Sequence, residues 1–285
     1  MGLAVITGAS SGIGAVYADR LARRGYDLLL IARNQKRLHE LAERLTRETK
    51  SKTYVLAADL TEPREVDELE QILRNETRVT LLVNNAGFGA PKSLLDANIK
   101  DLRQMIVLNV EVPMRLSYAA VPAFVGRGSG AIINVASIAA VAPEILNGVY
   151  GGTKAFLMAF GKSLQHEFGN SGLRVQVVLP GATATNFWKT TGTSAEHLPR
   201  EIVMPVGDMV DAALAGFAQG ELITVPSLPN VAQWDAYESA RQVLLPNLSR
   251  SVAADRYRVG RDCCRDLVIS PEEKIHFDRL HNSFQ

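Results

Sequence analysis

Short apolar segments alternate with longer amphipathic segments as far as about residue 225, and this alternation limits the possible folds more than any other feature. Most apolar segments are rich in Val, Ile and Leu and lack interleaved polar residues, which is typical of strands covered on both faces of a sheet. The pattern predicts an α/β fold, a single domain with a doubly wound parallel sheet flanked by helices on both faces. Strands are predicted at residues 3–7, 27–32, 53–57, 80–83, 131–135, 175–179 and 222–225. Helices are predicted at residues 13–24, 34–49, 64–75, 99–125, 149–169 and 207–219.

The composition is that of a globular protein in a reducing compartment. The chain has 285 residues, 47% of them hydrophobic, and a formal net charge of +1, which disfavours a generally basic nucleic-acid-binding protein. Cys263 and Cys264 are adjacent, and because a disulfide between neighbours is strained we expect two reduced thiols. No signal peptide is recognisable before the first predicted strand, and no apolar run approaches the ~20 residues that span a bilayer. We therefore expect a cytoplasmic protein without a membrane span.

Two segments depart from the strand–helix alternation. Residues 186–205 are polar but contain the bulky pair Phe187 and Trp188, and we interpret this segment as a loop that closes over a substrate. Residues 226–285 are predicted to form a helical C-terminal extension. The apolar residues Val231, Trp234, Tyr237 and Leu244 are predicted to lie near one face of it, a pattern more typical of a core or a subunit contact than of a ligand site.

A glycine-rich turn follows the first predicted strand and opens the first helix, with the sequence TGASSGIG from Thr7 to Gly14. Glycine lets the backbone turn tightly and approach a pyrophosphate, and the helix N-terminus offers free N–H groups to that anion. An ordinary glycine turn is the competing interpretation, but the position directly after the first strand favours a dinucleotide-binding turn.

Positive charge follows the second predicted strand. Arg33 stands where a carboxylate would otherwise bind the ribose 2′-hydroxyl of NAD, and it suits the 2′-phosphate of NADP instead. Lys36 and Arg37 add positive charge nearby. Asp59, after the third strand, is a candidate acceptor for the adenine amine, although a simple turn or helix-capping role would also explain it.

The segment from Asn84 to Gly87, with the sequence NNAG, closes the fourth predicted strand. Two amides and a glycine at the carboxyl end of a strand fit a floor beneath a bound cofactor. They fit a turn stabilised by asparagine side chains equally well.

Tyr150 and Lys154 are four residues apart in a predicted helix and therefore share one face. An ammonium at ~4–6 Å would favour the phenolate by roughly 3–4 kcal/mol, or about two to three pKa units, which would make Tyr150 a working acid and base near neutral pH. Ser137 ends the fifth strand, where its hydroxyl could hold a substrate oxygen beside the tyrosine. Asn109 interrupts a long apolar helix, either as a satisfied core residue or as the holder of a water that passes protons to Lys154.

Taken together, these motifs resemble the classical short-chain dehydrogenase/reductase family over about residues 3–225. The family's later proline–glycine–threonine segment corresponds to Pro180, Gly181 and Thr185. The resemblance implies a Rossmann-type sheet of about seven strands in the order 3-2-1-4-5-6-7, a preference for NADP(H) over NAD(H), and a homodimer or homotetramer built through helices 99–125 and 149–169. Gly151 and Gly152 depart from the family pattern, which usually has less permissive residues in this helical turn. Each glycine should cost about 1 kcal/mol of helix stability relative to Ala.

The resemblance implies hydride transfer between NADP(H) and a small-molecule carbonyl or alcohol. Phe187, Trp188 and Leu198 indicate a partly apolar pocket, and an acyl, steroid, aromatic or similar apolar carbonyl compound is the expected substrate class. A non-catalytic NADP(H)-binding sensor or scaffold is the main alternative; a sugar-nucleotide epimerase or dehydratase and a methyltransferase fit the motifs less well. No metal site is predicted. The predicted catalytic residues are Asn109, Ser137, Tyr150 and Lys154. The predicted cofactor-binding residues are Gly8, Ser10, Ser11, Gly12, Ile13, Gly14, Arg33, Asp59, Leu60, Asn85, Ala86, Gly87, Tyr150, Lys154, Pro180, Gly181, Thr183 and Thr185.

Overall fold

A computed structural model describes residues 1–89, 93–146, 148–185 and 198–257 of the chain. These residues belong to two compact units. The first runs from Met1 to Leu228, and the second begins at Pro229. Phe187 and Trp188, which were predicted to belong to a lid, and the cysteine pair lie outside the described residues.

The first unit is built on a seven-stranded sheet in the order β3-β2-β1-β4-β5-β6-β7, and every neighbouring pair is parallel. The fold class and strand order expected from the sequence are confirmed. The strands are β1 (Leu3–Thr7), β2 (Asp27–Ala32), β3 (Thr53–Ala57), β4 (Val79–Asn84), β5 (Gly130–Val135), β6 (Leu173–Val178) and β7 (Ile223–Thr224).

The helices of this unit follow the predicted order, with one correction. The single helix expected at 99–125 is two helices joined by a π-helical turn, Val107–Glu111, which contains Asn109. Such turns occur mostly as single insertions in α-helices and often lie at functional sites. The helices are α1 (Gly12–Arg23), α2 (Gln35–Thr49), α3 (Pro63–Asn75), α4 (Ile99–Ile106), α5 (Val112–Gly126), α6 (Gly148–Phe168) and α7 (Val206–Gln219).

Two hydrophobic clusters sandwich the sheet, and successive strand residues feed them alternately. In β1, Ile6 belongs to the cluster that includes residues of α1, α2 and α7, whereas Val5 belongs to the cluster that includes residues of α3, α5 and α6. Each fully buried Leu or Ile side chain stabilises such a core by roughly 1.5–3 kcal/mol. Burial on both faces explains why the strands read as continuous apolar runs.

The carboxyl ends of parallel strands meet at one edge of the sheet, which is where doubly wound sheets bind ligands. Six of the predicted site features follow strand ends and are therefore gathered at this edge. They are the glycine turn after β1, Arg33 after β2, Asp59 after β3, Asn85 after β4, Ser137 after β5 and Pro180 after β6.

Within the described ranges, no helix combines the length and apolar character needed to cross a membrane. In the same ranges, no three His, Cys, Asp or Glu side chains are grouped so that they could hold a metal ion.

The second unit contains the helix α8 (Val231–Leu244), which begins after Asn230, whose side chain accepts a hydrogen bond from the Ala232 N–H at 3.0 Å. The rings of Trp234 and Tyr237 contact each other at a centroid distance of 5.1 Å and an interplanar angle of 37°. No residue of this helix is buried in the described structure, so the predicted apolar stripe is not a core. The subunit contact stays a prediction.

Candidate active site

The glycine turn is shaped by backbone conformation at two positions and by packing at a third. Gly8 and Gly12 have φ values of +67° and +56°, in the left-handed region that favours glycine. At Gly14, a Cβ atom would overlap the Gly8 carbonyl oxygen and lie 2.5 Å from Asn85 Nδ2. The side chain of Ser11, the residue before α1, does not cap that helix. The N–H groups of the first turn of α1 are therefore presented to an anion at the sheet edge.

The NNAG segment braces this turn. Asn85 Nδ2 donates to the carbonyl oxygens of Thr7 at 2.8 Å and Gly8 at 3.2 Å. Thr7 Oγ1 accepts hydrogen bonds from the backbone N–H groups of Asn85 at 3.0 Å and Ala86 at 2.9 Å. The side chain of Asn84 points elsewhere, into the interior, where it donates to Asn134 Oδ1 at 2.9 Å. Asn85 therefore fixes the loop around Gly8, and Thr7 is a structural partner that sequence reasoning missed.

The loops after β2 and β3 form an exposed, charged end of the site. The side chain of Arg33 is 77% exposed, and its Nη1 atom lies 3.7 Å from Asp59 Oδ2. Partial burial acts to raise the pKa of Asp59, but hydrogen bonds from Thr61 and the charge of Arg33 outweigh it and hold that pKa below its usual range. Asp59 Oδ1 accepts from the N–H and the hydroxyl of Thr61. Leu60, in contrast, is buried in the core.

Ser137, Tyr150 and Lys154 come together at the carboxyl end of β5 and are all buried. The side chains of Ser137 and Tyr150 are hydrogen-bonded to each other. Ser137 Oγ also accepts from the Ala139 N–H at 3.1 Å. Lys154 Nζ donates to the Val135 carbonyl oxygen at 3.0 Å and lies 5.7 Å from the centroid of the Tyr150 ring. This arrangement can hold an oxygen atom of a ligand and exchange a proton with it.

The electrostatics of the pair differ from the sequence-based expectation. Burial raises the pKa of Tyr150 to about 12, and the hydrogen bond with Ser137 acts in the opposite direction. Burial lowers the pKa of Lys154 to about 8. The prediction that the lysine would bring the phenol towards neutrality was wrong for this structure, because burial disfavours the phenolate of Tyr150 more than its hydrogen bond with Ser137 favours it.

Asn109 lies on the π-helical turn between α4 and α5 and is 1% exposed. Its Oδ1 accepts from the Phe88 N–H at 3.1 Å, and its Nδ2 donates to the Phe88 carbonyl at 2.9 Å and to Thr153 Oγ1 at 3.1 Å. The side-chain amide therefore links the loop after β4 to α6. These bonds satisfy the amide, as in the first of the two alternatives for Asn109, and the water-holding role stays a prediction.

Gly151 and Gly152, the two departures from the family pattern, have different surroundings. A Cβ atom on Gly151 would lie 2.7 Å from Pro143 Cβ and 2.9 Å from Pro143 Cα. A Cβ atom on Gly152 would have no neighbour within 4 Å. Gly151 therefore lets the segment after Ser137 pack directly on α6, whereas Gly152 lies at the surface.

The segment after β6 reaches the glycine turn. The Pro180 carbonyl accepts from the Ile138 N–H at 3.0 Å, and Thr183 Oγ1 donates to the Gly181 carbonyl at 3.1 Å. A Cβ atom on Gly12 would lie 3.4 Å from Thr185 Cβ, so Thr185 adjoins the turn. The predicted cofactor residues after β1, β4 and β6 are therefore neighbours, while Arg33 and Asp59 form a separate pair at the charged end.

An apolar cluster surrounds Tyr150. Tyr150 packs with the buried side chains of Leu102, Met105 and Ala139, and partly buried apolar residues adjoin this group. Those adjoining residues are Phe88, Ala97, Leu146 and Val149. Tyr150, the predicted proton-transfer residue, thus lies in mostly apolar surroundings.

The contacts of three residues, Thr7, Phe88 and Thr153, were not predicted from the sequence. Thr7 opens the recognised TGASSGIG motif, but the motif does not reveal that its hydroxyl accepts hydrogen bonds from Asn85 and Ala86. Phe88 bonds to Asn109 through backbone groups, which leave no recognisable spacing. Thr153 did carry a signal, since it lies between Tyr150 and Lys154 and a helical threonine hydroxyl bonds readily to a carbonyl one turn earlier.

The family model described as short chain dehydrogenase matches residues 2–196 of the chain. An uncharacterised oxidoreductase of Staphylococcus epidermidis is 33% identical over 213 residues, which are 74% of this chain and 90% of the relative. Two solved structures are also similar. A short-chain dehydrogenase from Sphingobium yanoikuyae in complex with NADPH has 44% identity and a TM-score of 0.88, with 90% of this chain and 100% of that one covered. The bulky-bulky ketone specific alcohol dehydrogenase from Comamonas testosteroni has 40% identity and a TM-score of 0.84, with 91% and 99% covered.

Proposed function

The chain belongs to the short-chain dehydrogenase family, and on that premise we propose that it is an NADP(H)-dependent oxidoreductase whose Tyr150 exchanges the proton in carbonyl reduction or alcohol oxidation. The observation that carries the proposal is the buried cluster of Ser137, Tyr150 and Lys154 at the same sheet edge as the glycine turn. Neither the cluster nor the turn alone would suffice, because a hydride donor and a proton donor must reach one carbonyl group.

The residues at the sheet edge fit a dinucleotide. The turn from Gly8 to Gly14 has no room for a Cβ atom at Gly14, and Ser11 leaves the helix N-terminus uncapped for a diphosphate. Arg33, with Lys36 and Arg37, supplies positive charge for the 2′-phosphate of NADP(H). NADPH is the cofactor in the similar Sphingobium structure. When bound, the nicotinamide supplies or accepts the hydride.

Tyr150 and Ser137 are close enough to share the oxygen atom of a carbonyl substrate. Both hydroxyls would donate to that oxygen as negative charge develops on it. With its pKa raised to about 12, the buried phenol of Tyr150 remains protonated at neutral pH, so it is ready to act as the acid in the direction of reduction. Lys154, held on the Val135 carbonyl, places a positive charge behind the ring and can return a proton to the site.

The substrate we propose is a ketone or aldehyde with bulky apolar groups. The apolar cluster around Tyr150 favours such groups, since it offers them contact area and few hydrogen-bond partners. The similar Comamonas enzyme is named for bulky-bulky ketones, which agrees with this choice. Acyl, steroid and aromatic ketones therefore form the first substrate panel.

A homo-oligomer is part of the proposal. Three apolar side chains on the α4–α5 region are substantially exposed, with Ile106 at 47%, Met114 at 41% and Tyr118 at 71%. Exposed apolar side chains favour contact with another protein surface, and a second copy of this chain would supply it.

The test is turnover of NADPH against the ketone panel by the full chain and by Tyr150→Phe, which removes the hydroxyl and keeps the ring. We expect the variant to lose at least about 100-fold in kcat, since general acid catalysis contributes 10²–10⁴-fold, while its NADPH affinity changes little. A variant that turns over at the wild-type rate would contradict the role of Tyr150. NADPH binding by the wild type without turnover of any substrate would instead favour the non-catalytic alternative.

A further inference from the structure

Thr153 lies between the two proposed proton-transfer residues and is 3% exposed. Its Oγ1 donates to the Tyr150 carbonyl oxygen at 2.8 Å, a local bond that many helical threonines make. The same oxygen accepts from Asn109 Nδ2 at 3.1 Å, across 44 residues of sequence. The bond to the Tyr150 carbonyl is explained by helix geometry alone. The bond from Asn109 is not, so it needs a separate explanation.

Both the nitrogen and the oxygen of the Asn109 side-chain amide have hydrogen-bond partners. One of its two N–H groups is directed to Thr153, and the other serves the Phe88 carbonyl at 2.9 Å. Its oxygen accepts from the Phe88 N–H at 3.1 Å. The Asn109 amide thus donates to the Thr153 hydroxyl, which in turn donates to the Tyr150 carbonyl oxygen. This connection ties the first turn of α6 to the loop after β4.

That loop adjoins the proposed cofactor site closely. A Cβ atom on Gly87 would lie 2.8 Å from Asn109 Oδ1 and 3.5 Å from Lys154 Nζ. Phe88, the partner of Asn109, also packs against the apolar cluster that contains Tyr150. The hydroxyl of Thr153 is therefore the group of α6 that accepts the hydrogen bond from Asn109.

We propose that Thr153 is a positioning residue, which fixes the backbone of Tyr150 relative to the Gly87–Phe88 loop and so sets the distance over which the tyrosine transfers its proton. The inference rests on the proposed function, because it concerns the same site. Thr153 acts through Asn109 and Tyr150 and needs no contact of its own with substrate. The hydroxyl is the essential group, so serine should replace threonine and valine should not.

The test compares Thr153→Val with Thr153→Ser in the full chain, using NADPH and a ketone that the wild type reduces. In Thr153→Val the buried N–H of Asn109 loses its acceptor, and Tyr150 is no longer held. We expect kcat to fall about 10-fold to 100-fold, the scale of a misplaced catalytic group, with the ketone KM and the NADPH Kd within about threefold of wild type. Thr153→Ser should keep kcat within about threefold, and both enzymes should be followed across pH 6–10.

Thr49→Val is the matched control. Thr49 is also a helical threonine in the first unit, and its hydroxyl donates to the Leu45 carbonyl at 2.8 Å, far from α6 in sequence. We expect it to cost less stability than Thr153→Val, since Thr49 is only partly buried, and to leave kcat unchanged. The pH dependence of kcat should change in Thr153→Val only, because only there is the acid displaced from its neighbours.

The outcomes separate this proposal from the proposed function. If the wild type reduces the ketone, Tyr150→Phe does not, and Thr153→Val keeps kcat within twofold, the positioning role is wrong while the function stands. Equal losses in Thr153→Ser and Thr153→Val would also overturn it, since the hydroxyl that serine keeps would then not be the essential group. If the wild type reduces no member of the panel, both proposals fall.

Discussion

The two ends of the site differ in how their functional groups are held. At one end Ser137, Tyr150 and Lys154 are buried, and each contacts either another of the three or a backbone group. At the other end the side chains of Arg33 and Lys36 are 77% and 87% exposed, and their ion-pair partners are 3.7 Å and 4.0 Å away. The buried end is built for fixed geometry, and the exposed end for charge that can rearrange around a ligand.

The interaction energies at the two ends differ because one end is exposed and the other is buried. An exposed ion pair such as Arg33–Asp59 is worth about 0–1 kcal/mol, so Arg33 can leave Asp59 for a phosphate at little cost. At the buried end, taking Lys154 out of water lowers its pKa to about 8, even though its Nζ atom donates to the Val135 carbonyl oxygen at 3.0 Å. We therefore expect substitutions that disturb packing to have larger effects than substitutions that remove exposed charge.

The largest effect is expected where packing is tightest, at Gly14. An Ala there would favour helix α1 by about 1 kcal/mol on propensity alone, yet its Cβ would overlap the Gly8 carbonyl and approach Asn85 Nδ2 at 2.5 Å. Since backbone must move, we expect Gly14→Ala to weaken NADPH binding more than about 100-fold and to lower Tm. Fluorescence titration and thermal unfolding measure the two effects.

Gly126→Ala is the control for Gly14→Ala. It lies in helix α5, and a Cβ there would have no neighbour within 4 Å. It should leave NADPH binding unchanged. Wild-type NADPH affinity in Gly14→Ala would show that the turn does not hold the cofactor as proposed.

The adjacent pair Gly151 and Gly152 offers the next test. In Gly151→Ala the new methyl group would push against Pro143 Cα and displace the segment that begins at Ser137. We expect kcat/KM for the ketone to fall about tenfold, mainly through KM, with NADPH affinity preserved. Steady-state kinetics at saturating NADPH measure this change.

Gly152→Ala should leave kcat/KM within twofold and stabilise the helix by up to about 1 kcal/mol, because its Cβ would have no neighbour within 4 Å. Equal kinetic losses in the two variants would mean that helix flexibility, and not the contact with Pro143, is what matters. The comparison therefore tests packing at the buried end without touching a proposed proton-transfer group.

The sequence was enough to predict the fold and the meeting of Ser137, Tyr150 and Lys154, because strands buried on both faces and motifs near strand ends leave strong local patterns. It could not distinguish Gly151 from Gly152, since the contact with Pro143 exists only in the folded chain. It also missed the π-helical turn, which adds a residue within a helix without changing its apolar character; a polar Asn109 in an apolar helix was the only signal. The pKa of Tyr150 was mispredicted because a spacing of four residues reveals attraction between side chains but not the cost of burying them.

The smallest effect is expected at the exposed end. Arg33→Ala should raise the Kd for NADPH about tenfold at low salt and leave the Kd for NADH within twofold, because only NADPH carries the 2′-phosphate. Since Arg33 is 77% exposed, the wild-type preference should itself shrink as salt rises and the Debye length falls from about 10 Å at 0.1 M to about 3 Å at 1 M.

Tyr150→Phe, whose defect lies in buried groups, should show the same loss of kcat at both salt concentrations. Fluorescence titrations of both nucleotides at the two concentrations measure the preference. A preference for NADPH that survives both 1 M salt and the loss of Arg33 would mean that buried contacts, and not exposed charge, select the nucleotide.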